Sequence, residues 1–171
     1  VHYVIEFCYE KGIKIVLNPA PAAAVPMEII DKVTYVTPNE HEAVLIFGDE
    51  LSTEELLRKY PEKLVITQGS RGVSTCLKDG QILNVPARKA QVVDTTGAGD
   101  TLNGAFSVQI AEGKAIEDAL AYANVAASLS TEKFGAQTGM PTAEEVETAL
   151  KILNGESVEK EIPVEMELIT K

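Results

Sequence analysis

Two aspartates, Asp94 and Asp100, and two glycines, Gly97 and Gly99, lie close together in the segment DTTGAGDTLNG, residues 94–104. The glycines stand just before a predicted helix, where a backbone without side chains lets a ligand approach the N–H groups closely. The first N–H groups of a helix lack intrahelical partners and carry partial positive charge. Gly97, Ala98 and Gly99 are therefore predicted to form a hole for an anion, such as a phosphoryl group in transfer.

Asp100 lies at the mouth of this predicted hole, where its carboxylate could accept a proton from an attacking hydroxyl group. Asp94 lies one loop away and could hold either a cation or the loop itself. A simpler alternative is a glycine turn with Asp100 or Thr101 as the N-cap. The segment is not a Walker A loop, because no lysine follows at the required spacing. It is not a dinucleotide fingerprint either, because Leu102 replaces the third glycine.

Three further polar features also have two interpretations. Asn39 and Glu42, in the run NEHE, have the spacing of a helix capping box. The run TQGSRG over residues 67–72 connects two predicted strands, as many glycine-rich loops do. Asn124 lies in an alanine-rich helix, where a polar helix face is the simplest interpretation. From the residues alone, each feature is either structural or part of a binding site.

The run DTTGAGDTLNGAF over residues 94–106 resembles the long and specific C-terminal signature of the PfkB carbohydrate kinase family. The resemblance implies an α/β fold, a ribokinase-like three-layer sandwich with a mostly parallel central sheet. It implies ATP-dependent phosphorylation of a sugar hydroxyl, with Asp100 as the catalytic base and the 97–100 loop as the anion hole. The runs TQGSRG and LNPAPA are similar to ribokinases, which makes D-ribose the expected substrate and ribose 5-phosphate the product. Fructose, ketodeoxygluconate and nucleoside kinases of the same family remain alternatives.

The resemblance also implies ligands for ATP, Mg²⁺ and K⁺. Glu42 is expected to organise magnesium through water, and Asn39 to reach the nucleotide phosphates. Nucleotide binding is implied for Asn39, Thr67, Gln68, Gly69, Ser70, Arg71, Gly72, Gly99 and Asn124. Potassium binding is implied for Asp94, Thr96, Ser130, Lys133, Gly135 and Gly139. Gly139 departs from the family pattern, in which a side-chain ligand is common at that position.

The resemblance extends from about residue 3 to about residue 153. Residues 1–155 are accordingly interpreted as the C-terminal nucleotide-binding and catalytic half of a ribokinase-like domain. The lid and most sugar-binding residues are expected in an N-terminal half that this chain lacks, so the chain alone is expected to be inactive. The full-length enzyme is expected to be a homodimer. A non-catalytic nucleotide-binding fragment is the alternative from another functional class.

The elements that would position these motifs alternate between helical and extended patterns, which is typical of an α/β fold. Helices are predicted over residues 3–11, 39–47, from Ser52, 100–112, 116–133 and 142–153. Strands are predicted over residues 13–17, 33–36, 63–67, 73–77 and 81–85, the last two as a hairpin. Residues 18–26 are predicted to be a loop, because prolines interrupt regular structure. The tail, residues 156–171, contains an alternating pattern at Ile162, Val164, Met166 and Leu168 that indicates an extra strand or a frayed terminus.

Charge and cysteine content narrow the functional class. The 171 residues include 15 basic and 26 acidic side chains, a net charge of -11, which argues against nucleic acid as a partner. Cys8 and Cys76 lack CxxC spacing, which favours a reduced, cytoplasmic protein. The two histidines, far apart in sequence, argue against a zinc site. No signal peptide and no membrane-spanning run are visible in the sequence.

Overall fold

The computed structural model describes residues 1–21 and 23–158, in which helices alternate with short strands. The α-helices are α1 His2–Glu10, α2 Met27–Lys32, α3 Glu40–Phe47, α4 Thr53–Lys59, α5 Ala98–Ala111, α6 Ile116–Ser130 and α7 Ala143–Leu153. The strands are β1 Val16–Leu17, β2 Tyr35–Val36, β3 Val65–Thr67, β4 Val73–Cys76 and β5 Ile82–Val85. A 3-10 turn, Gly69–Arg71, lies between β3 and β4.

The strands follow one another across the sheet in sequence order. β1 pairs with β2 in parallel, and parallel bridges from Val36 to Leu64 and from Asn39 to Thr67 connect β2 to β3. β3, β4 and β5 pair in antiparallel order, so the hairpin predicted from the turn is confirmed. The carboxyl ends of β2 and β3 therefore meet at one edge, which is where α/β sheets usually bind ligands.

Two apolar cores lie on opposite faces of this sheet. Successive side chains of an extended segment point to opposite faces of a sheet. Leu64 and Ile66 accordingly belong to the core under α2 and α4, whereas Val65 belongs to the core under α5 and α6. Phe106 of α5 is fully buried in the second core and meets the ring of Tyr35 edge to face, with centroids 5.1 Å apart. This gives the three layers of the predicted sandwich.

The capping residues in the sequence correctly predict where three helices begin. Asn39, Ser52 and Thr142 are the N-caps of α3, α4 and α7, and each forms a complete capping box with the glutamate three residues later. Gly48 ends α3 with φ of 83° and ψ of 178°, a backbone conformation that glycine adopts readily, as its position in the sequence indicated. These local predictions are confirmed.

Several boundaries differ from the prediction. α5 begins at Ala98, two residues earlier than predicted, α6 ends at Ser130 rather than near 133, and the strands are shorter. The six-residue helix α2 was not predicted; it buries Ile29 and Ile30, and Lys63 donates from its ammonium group to the carbonyls of Ile30 and Asp31 near its end. Such a short helix depends on tertiary contacts, which local sequence does not reveal.

The alternating residues predicted as a tail strand, 162–168, lie outside the described residues. Among the residues described, no helix combines the length and apolar character needed to cross a membrane.

Candidate active site

The glycine turn before α5 leaves two backbone donors open. Gly97 is the N-cap in a left-handed conformation with φ of 81°, and the Thr101 N–H donates to its carbonyl at 2.8 Å. The Ala98 N–H donates to Thr95 O at 3.2 Å. The N–H groups of Gly99 and Asp100 make no hydrogen bond within the described parts of the chain, and both residues are exposed. An anion at the start of α5 would therefore meet these two donors first.

The alternative in which Asp100 or Thr101 caps the helix is wrong, because Gly97 occupies the N-cap. Asp100 is instead the third residue of α5. Its carboxylate does not bond back to the N-cap, and it has no hydrogen bond or ion pair to any residue that the structure describes. A free, exposed carboxylate beside open N–H donors is suited to accept a proton from a hydroxyl group.

Asp94 fastens this turn to the loop that follows α6. One carboxylate oxygen accepts from the Thr96 N–H and the other from the Gly135 N–H, both at 2.9 Å. The backbone hydrogen bond from Thr96, then its hydroxyl, then the Gly135 N–H lower the pKa of Asp94 below its ordinary value. In the structure Asp94 therefore holds the loop in place. Binding of a cation by Asp94, the other role considered, stays a prediction.

The loop after α6 gathers carbonyl oxygens around Gly139. A Cβ added at Gly139 would lie 2.7 Å from the carbonyl oxygen of Ser130, 2.8 Å from that of Gly135 and 3.5 Å from that of Lys133. Three carbonyl oxygens therefore lie close together beside Gly139. Carbonyl oxygens are ligands that suit a bare cation such as K⁺. A side chain at position 139 would fill this space unless the loop moved.

The same loop contacts the glycine turn directly. A Cβ added at Gly97 would lie 3.0 Å from the Cα and Cβ of Ala136. The left-handed φ of Gly97 and this close approach both require a residue without a side chain. The loop that follows α6 is thus packed directly against the start of α5.

Asn39 and Glu42 are bonded to each other at the start of α3. The Glu42 N–H donates to Asn39 Oδ1 at 2.9 Å, and the Asn39 N–H donates to Glu42 Oε2 at 2.8 Å. Glu42 is buried, with 7% of its surface exposed. Its other oxygen, Oε1, makes no hydrogen bond within the described residues. The bridge between Asn39 and Thr67 places this turn beside the TQGSRG loop.

The TQGSRG loop contains one residue that must be glycine. Gly72 has φ of 94° and ψ of −135°, and a Cβ there would lie 1.9 Å from Val85 O and 2.7 Å from Ala87 N. Arg71 forms an ion pair with Glu40 of α3, which ties the loop to the first turn of that helix. Both contacts hold the loop against its neighbours.

Asn124 fastens the segment against which Gly72 packs. It is 5% exposed, and its amide nitrogen donates to Val85 O at 3.2 Å and to Pro86 O at 2.7 Å. Both side-chain hydrogen bonds that Asn124 donates are therefore made to the backbone at the end of β5. A contact between Asn124 and a nucleotide stays a prediction.

Sequence reasoning missed a hydrogen-bonded connection between β2 and α5. The hydroxyl of Thr37 donates to Asn103 Oδ1 at 2.6 Å, and Asn103 Nδ2 donates to Gly99 O at 2.8 Å. Thr37 and Asn103 are 66 residues apart in sequence, and no local pattern connects them.

A cavity in the described structure lies away from these motifs. Its volume is about 1230 Å³, and it lies between α7 and the backbone around Arg88 and Lys89. The glycine turn and the TQGSRG loop do not line it. Within the described residues, no group of three His, Cys, Asp or Glu side chains could hold a metal ion.

Known proteins share both the sequence and the fold of this chain. The family described as pfkB family carbohydrate kinase matches residues 2–143. The ribokinase of Bacillus subtilis (strain 168) is 53% identical over 150 residues, which are 88% of this chain and 50% of that protein. The solved ribokinase of Thermotoga maritima is 35% identical with a TM-score of 0.77, covering 86% of this chain and 52% of the other. Arabidopsis thaliana ribokinase, solved with ribose and ATP, is 30% identical with a TM-score of 0.77, covering 86% and 51%.

The chain belongs to the PfkB family of carbohydrate kinases and has a ribokinase-like α/β fold. Within this family, the chain is 53% identical to a curated ribokinase and 35% identical to a ribokinase of known structure. The chain spans about half the length of the curated relatives it matches.

Proposed function

We propose that this chain is the ATP-binding and catalytic half of a sugar kinase that converts D-ribose to ribose 5-phosphate. The observation that carries the proposal is the start of α5, where the unbonded carboxylate of Asp100 adjoins the open N–H groups of Gly99 and Asp100. Ribose is favoured because relatives at 53% and 50% identity are ribokinases, and another ribokinase has been solved with ribose and ATP.

In the proposed reaction Asp100 accepts the proton of the attacking sugar hydroxyl as the γ-phosphoryl group transfers in line. The N–H groups of Gly99 and Asp100, at the positive end of α5, bind the charge that develops on the phosphoryl oxygens. Ala98 supplies a third donor when its long bond to Thr95 opens. ATP lies along the 67–72 loop, on the side of the sheet where Asn124 holds the adjoining backbone.

Magnesium fits the first turn of α3. Glu42 uses one oxygen in the capping box and keeps the other without a hydrogen bond among the described residues. One carboxylate, together with nucleotide phosphates and water, is a common ligand set for Mg²⁺. When bound, the ion neutralises charge on the phosphates.

Potassium fits the loop after α6, where the carbonyl oxygens of Ser130, Lys133 and Gly135 converge. Asp94 and Thr96 form the adjoining turn, and the Asp94 carboxylate brings negative charge to it. With no side chain at Gly139, water is the proposed ligand on that side. Bound there, the ion stabilises the loop that packs against Gly97.

The proposal is tested by assaying the complete kinase, in which this chain is joined to the lid and sugar-binding half. ADP release with ATP and Mg²⁺ is measured over a panel of ribose, deoxyribose, fructose, ketodeoxygluconate and nucleosides. Ribose is expected to give the highest kcat/KM, with phosphate on the 5-hydroxyl. The isolated 171-residue chain is expected to bind ATP weakly without turnover, because the water-excluding lid is absent. ATP binding without phosphorylation of any acceptor by the complete protein would favour a non-catalytic nucleotide-binding role.

A further inference from the structure

We infer that Thr37 and Asn103 are positioning residues for the phosphoryl group, because they fix the peptide between Gly99 and Asp100. This inference rests on the proposed function of the α5 start. The N–H of that peptide belongs to Asp100 and is one of the two open donors. Its carbonyl belongs to Gly99 and is held from the other side by Asn103 Nδ2 at 2.8 Å.

The Gly99 carbonyl has two donors available. In an α-helix the carbonyl of residue 99 accepts the backbone N–H of residue 103, and here the side chain of Asn103 adds a second donor. Hydrogen bonds to a peptide carbonyl polarise the peptide and strengthen its N–H as a donor. Asn103 therefore both orients the Asp100 N–H and increases its attraction for an anion.

Thr37 determines which way the Asn103 amide points. Its hydroxyl has a single proton and lies 2.6 Å from Asn103 Oδ1 but 3.3 Å from Leu17 O. The shorter contact is the donated hydrogen bond. It holds the oxygen of the amide toward Thr37, so that the nitrogen faces Gly99. Without this donor the amide would lose the contact that fixes its orientation.

Thr37 is itself held rigidly by the ends of two strands. It is fully buried, its N–H donates to Leu17 O at 2.9 Å, and its carbonyl accepts from Asn18 Nδ2 at 3.0 Å. The path thus runs from the carboxyl ends of β1 and β2 through two side chains to the first turn of α5. A rigid element supports the site, as precise placement of a reacting group requires.

The design of α5 explains why such support is needed. α3, α4 and α7 have capping boxes, in which the N-cap side chain accepts from the N–H of the third helical residue. α5 has no side-chain cap, and its first donors remain open for a ligand. Asn103 stabilises the first turn through a carbonyl instead, so the turn is held while its N–H groups stay open.

The test compares Thr37→Val with Thr37→Ser in the complete kinase. Val removes the hydroxyl at nearly constant size, and Ser retains it. Thr37→Val is expected to lower kcat about tenfold with KM for ATP and ribose within about twofold, because the donor is needed in the transition state and a misplaced donor costs less than a missing one. Thr37→Ser is expected to keep kcat within about threefold of wild type. If Thr37 had a purely structural role, Thr37→Val would lower the stability of the protein without lowering kcat selectively relative to KM.

Asn103→Leu provides an independent variant if Thr37→Val does not fold, because residue 103 is only half-buried. It is expected to lower kcat at least as much as Thr37→Val. Gln109→Leu, the same kind of change six residues later in α5, is the matched control and should leave kcat unchanged. Three outcomes would each overturn the inference: wild-type kcat in folded Thr37→Val and Asn103→Leu, equal losses of kcat in Thr37→Val and Thr37→Ser, or a rise in KM alone.

Asp100→Asn distinguishes failure of this inference from failure of the proposed function. If Asp100→Asn also retains full activity, the proposed function fails. If Asp100→Asn is inactive and the Thr37 and Asn103 variants are active, only the positioning role fails.

Discussion

The acidic residue at the third helical position behaves differently in α5 from its counterparts in three other helices. Glu42, Glu55 and Glu145 each bond back to the N-cap backbone of their helix. Asp100 does not, since its side chain is one methylene shorter and the N-cap is a left-handed glycine. At most positions this would be a missed stabilising contact. Here it leaves a carboxylate free for the proposed proton transfer.

Asp100→Asn in the complete kinase separates a catalytic from a structural role. The substitution preserves size and is expected to lower kcat about 10²–10⁴-fold, because the general base is removed. ATP affinity should change little, since the change removes no backbone donor. Steady-state kinetics with ribose, together with ATP binding measured by calorimetry, provide the check. Retention of more than about a tenth of wild-type kcat would contradict the role as a base.

Asp94 makes the loop contact dependent on pH. Its folded-state pKa is lowered by hydrogen bonds to Thr96 and Gly135, so the contact is fully formed above the ordinary value of 3.8. Stability from this group is then lost as pH falls through the lowered folded-state pKa. In an NMR titration, the Gly135 amide shift should therefore move with a midpoint below 3.8. Asp94→Asn is the control and should abolish that titration; a midpoint at or above the ordinary value would count against the contact.

At the scale of elements, the TQGSRG loop and the β5 strand are held together through Gly72. Gly72→Ala introduces a Cβ 1.9 Å from Val85 O at a φ of 94°, so strain and steric overlap combine. Gly113→Ala is the matched control, with φ of 80° and no atom within 4 Å of the added Cβ. The control is expected to cost about 1–2 kcal/mol of unfolding free energy. Gly72→Ala is expected to cost at least twice the control or to prevent folding, as measured by urea denaturation; equal costs would show that the loop yields easily.

Elements specified by neighbouring residues could be predicted, and those specified by distant contacts could not. The capping boxes of α3, α4 and α7 were predictable, because both partners lie within four residues. The start of α5 was predicted two residues late, since the packing of Gly97 against Ala136, 39 residues away, is a contact that the local sequence does not reveal. α2 was missed, because its stability comes from buried isoleucines and from Lys63 more than thirty residues away.

The candidate site divides in the same way. The glycine turn and the TQGSRG loop are visible as motifs, and the structure links each to its neighbours by direct contacts. The connection from Thr37 to Asn103 has no local signal, since it depends on how β2 meets α5. Asn124 lies between these two cases. The residue could be identified from the sequence, but its hydrogen bonds to Val85 and Pro86 could be seen only in the folded structure.

At the scale of the whole molecule, the loop after α6 connects a proposed cation site to the start of α5. The complete kinase is expected to be more active in potassium than in sodium at equal ionic strength. The reason is that the carbonyl oxygens of Ser130, Lys133 and Gly135 lie together beside Gly139, in the loop that packs against Gly97. The larger ion suits several carbonyl oxygens better. Initial rates in KCl, NaCl and tetramethylammonium chloride provide the measurement. Equal rates in all three salts would contradict a functional cation site, whereas equal rates in KCl and NaCl alone would contradict selectivity.

The uncapped start of α5 also limits how far this fold could be made more thermostable. A polar N-cap side chain commonly adds about 1 kcal/mol to a helix, and engineers routinely introduce one where it is missing. At Gly97 the same improvement would place an oxygen over the donors meant for a phosphoryl group, and a side chain there would press against Ala136. The molecule is therefore held below its attainable stability at the position where its chemistry is proposed to occur. Selection for heat resistance in this family member would have to act on other helices.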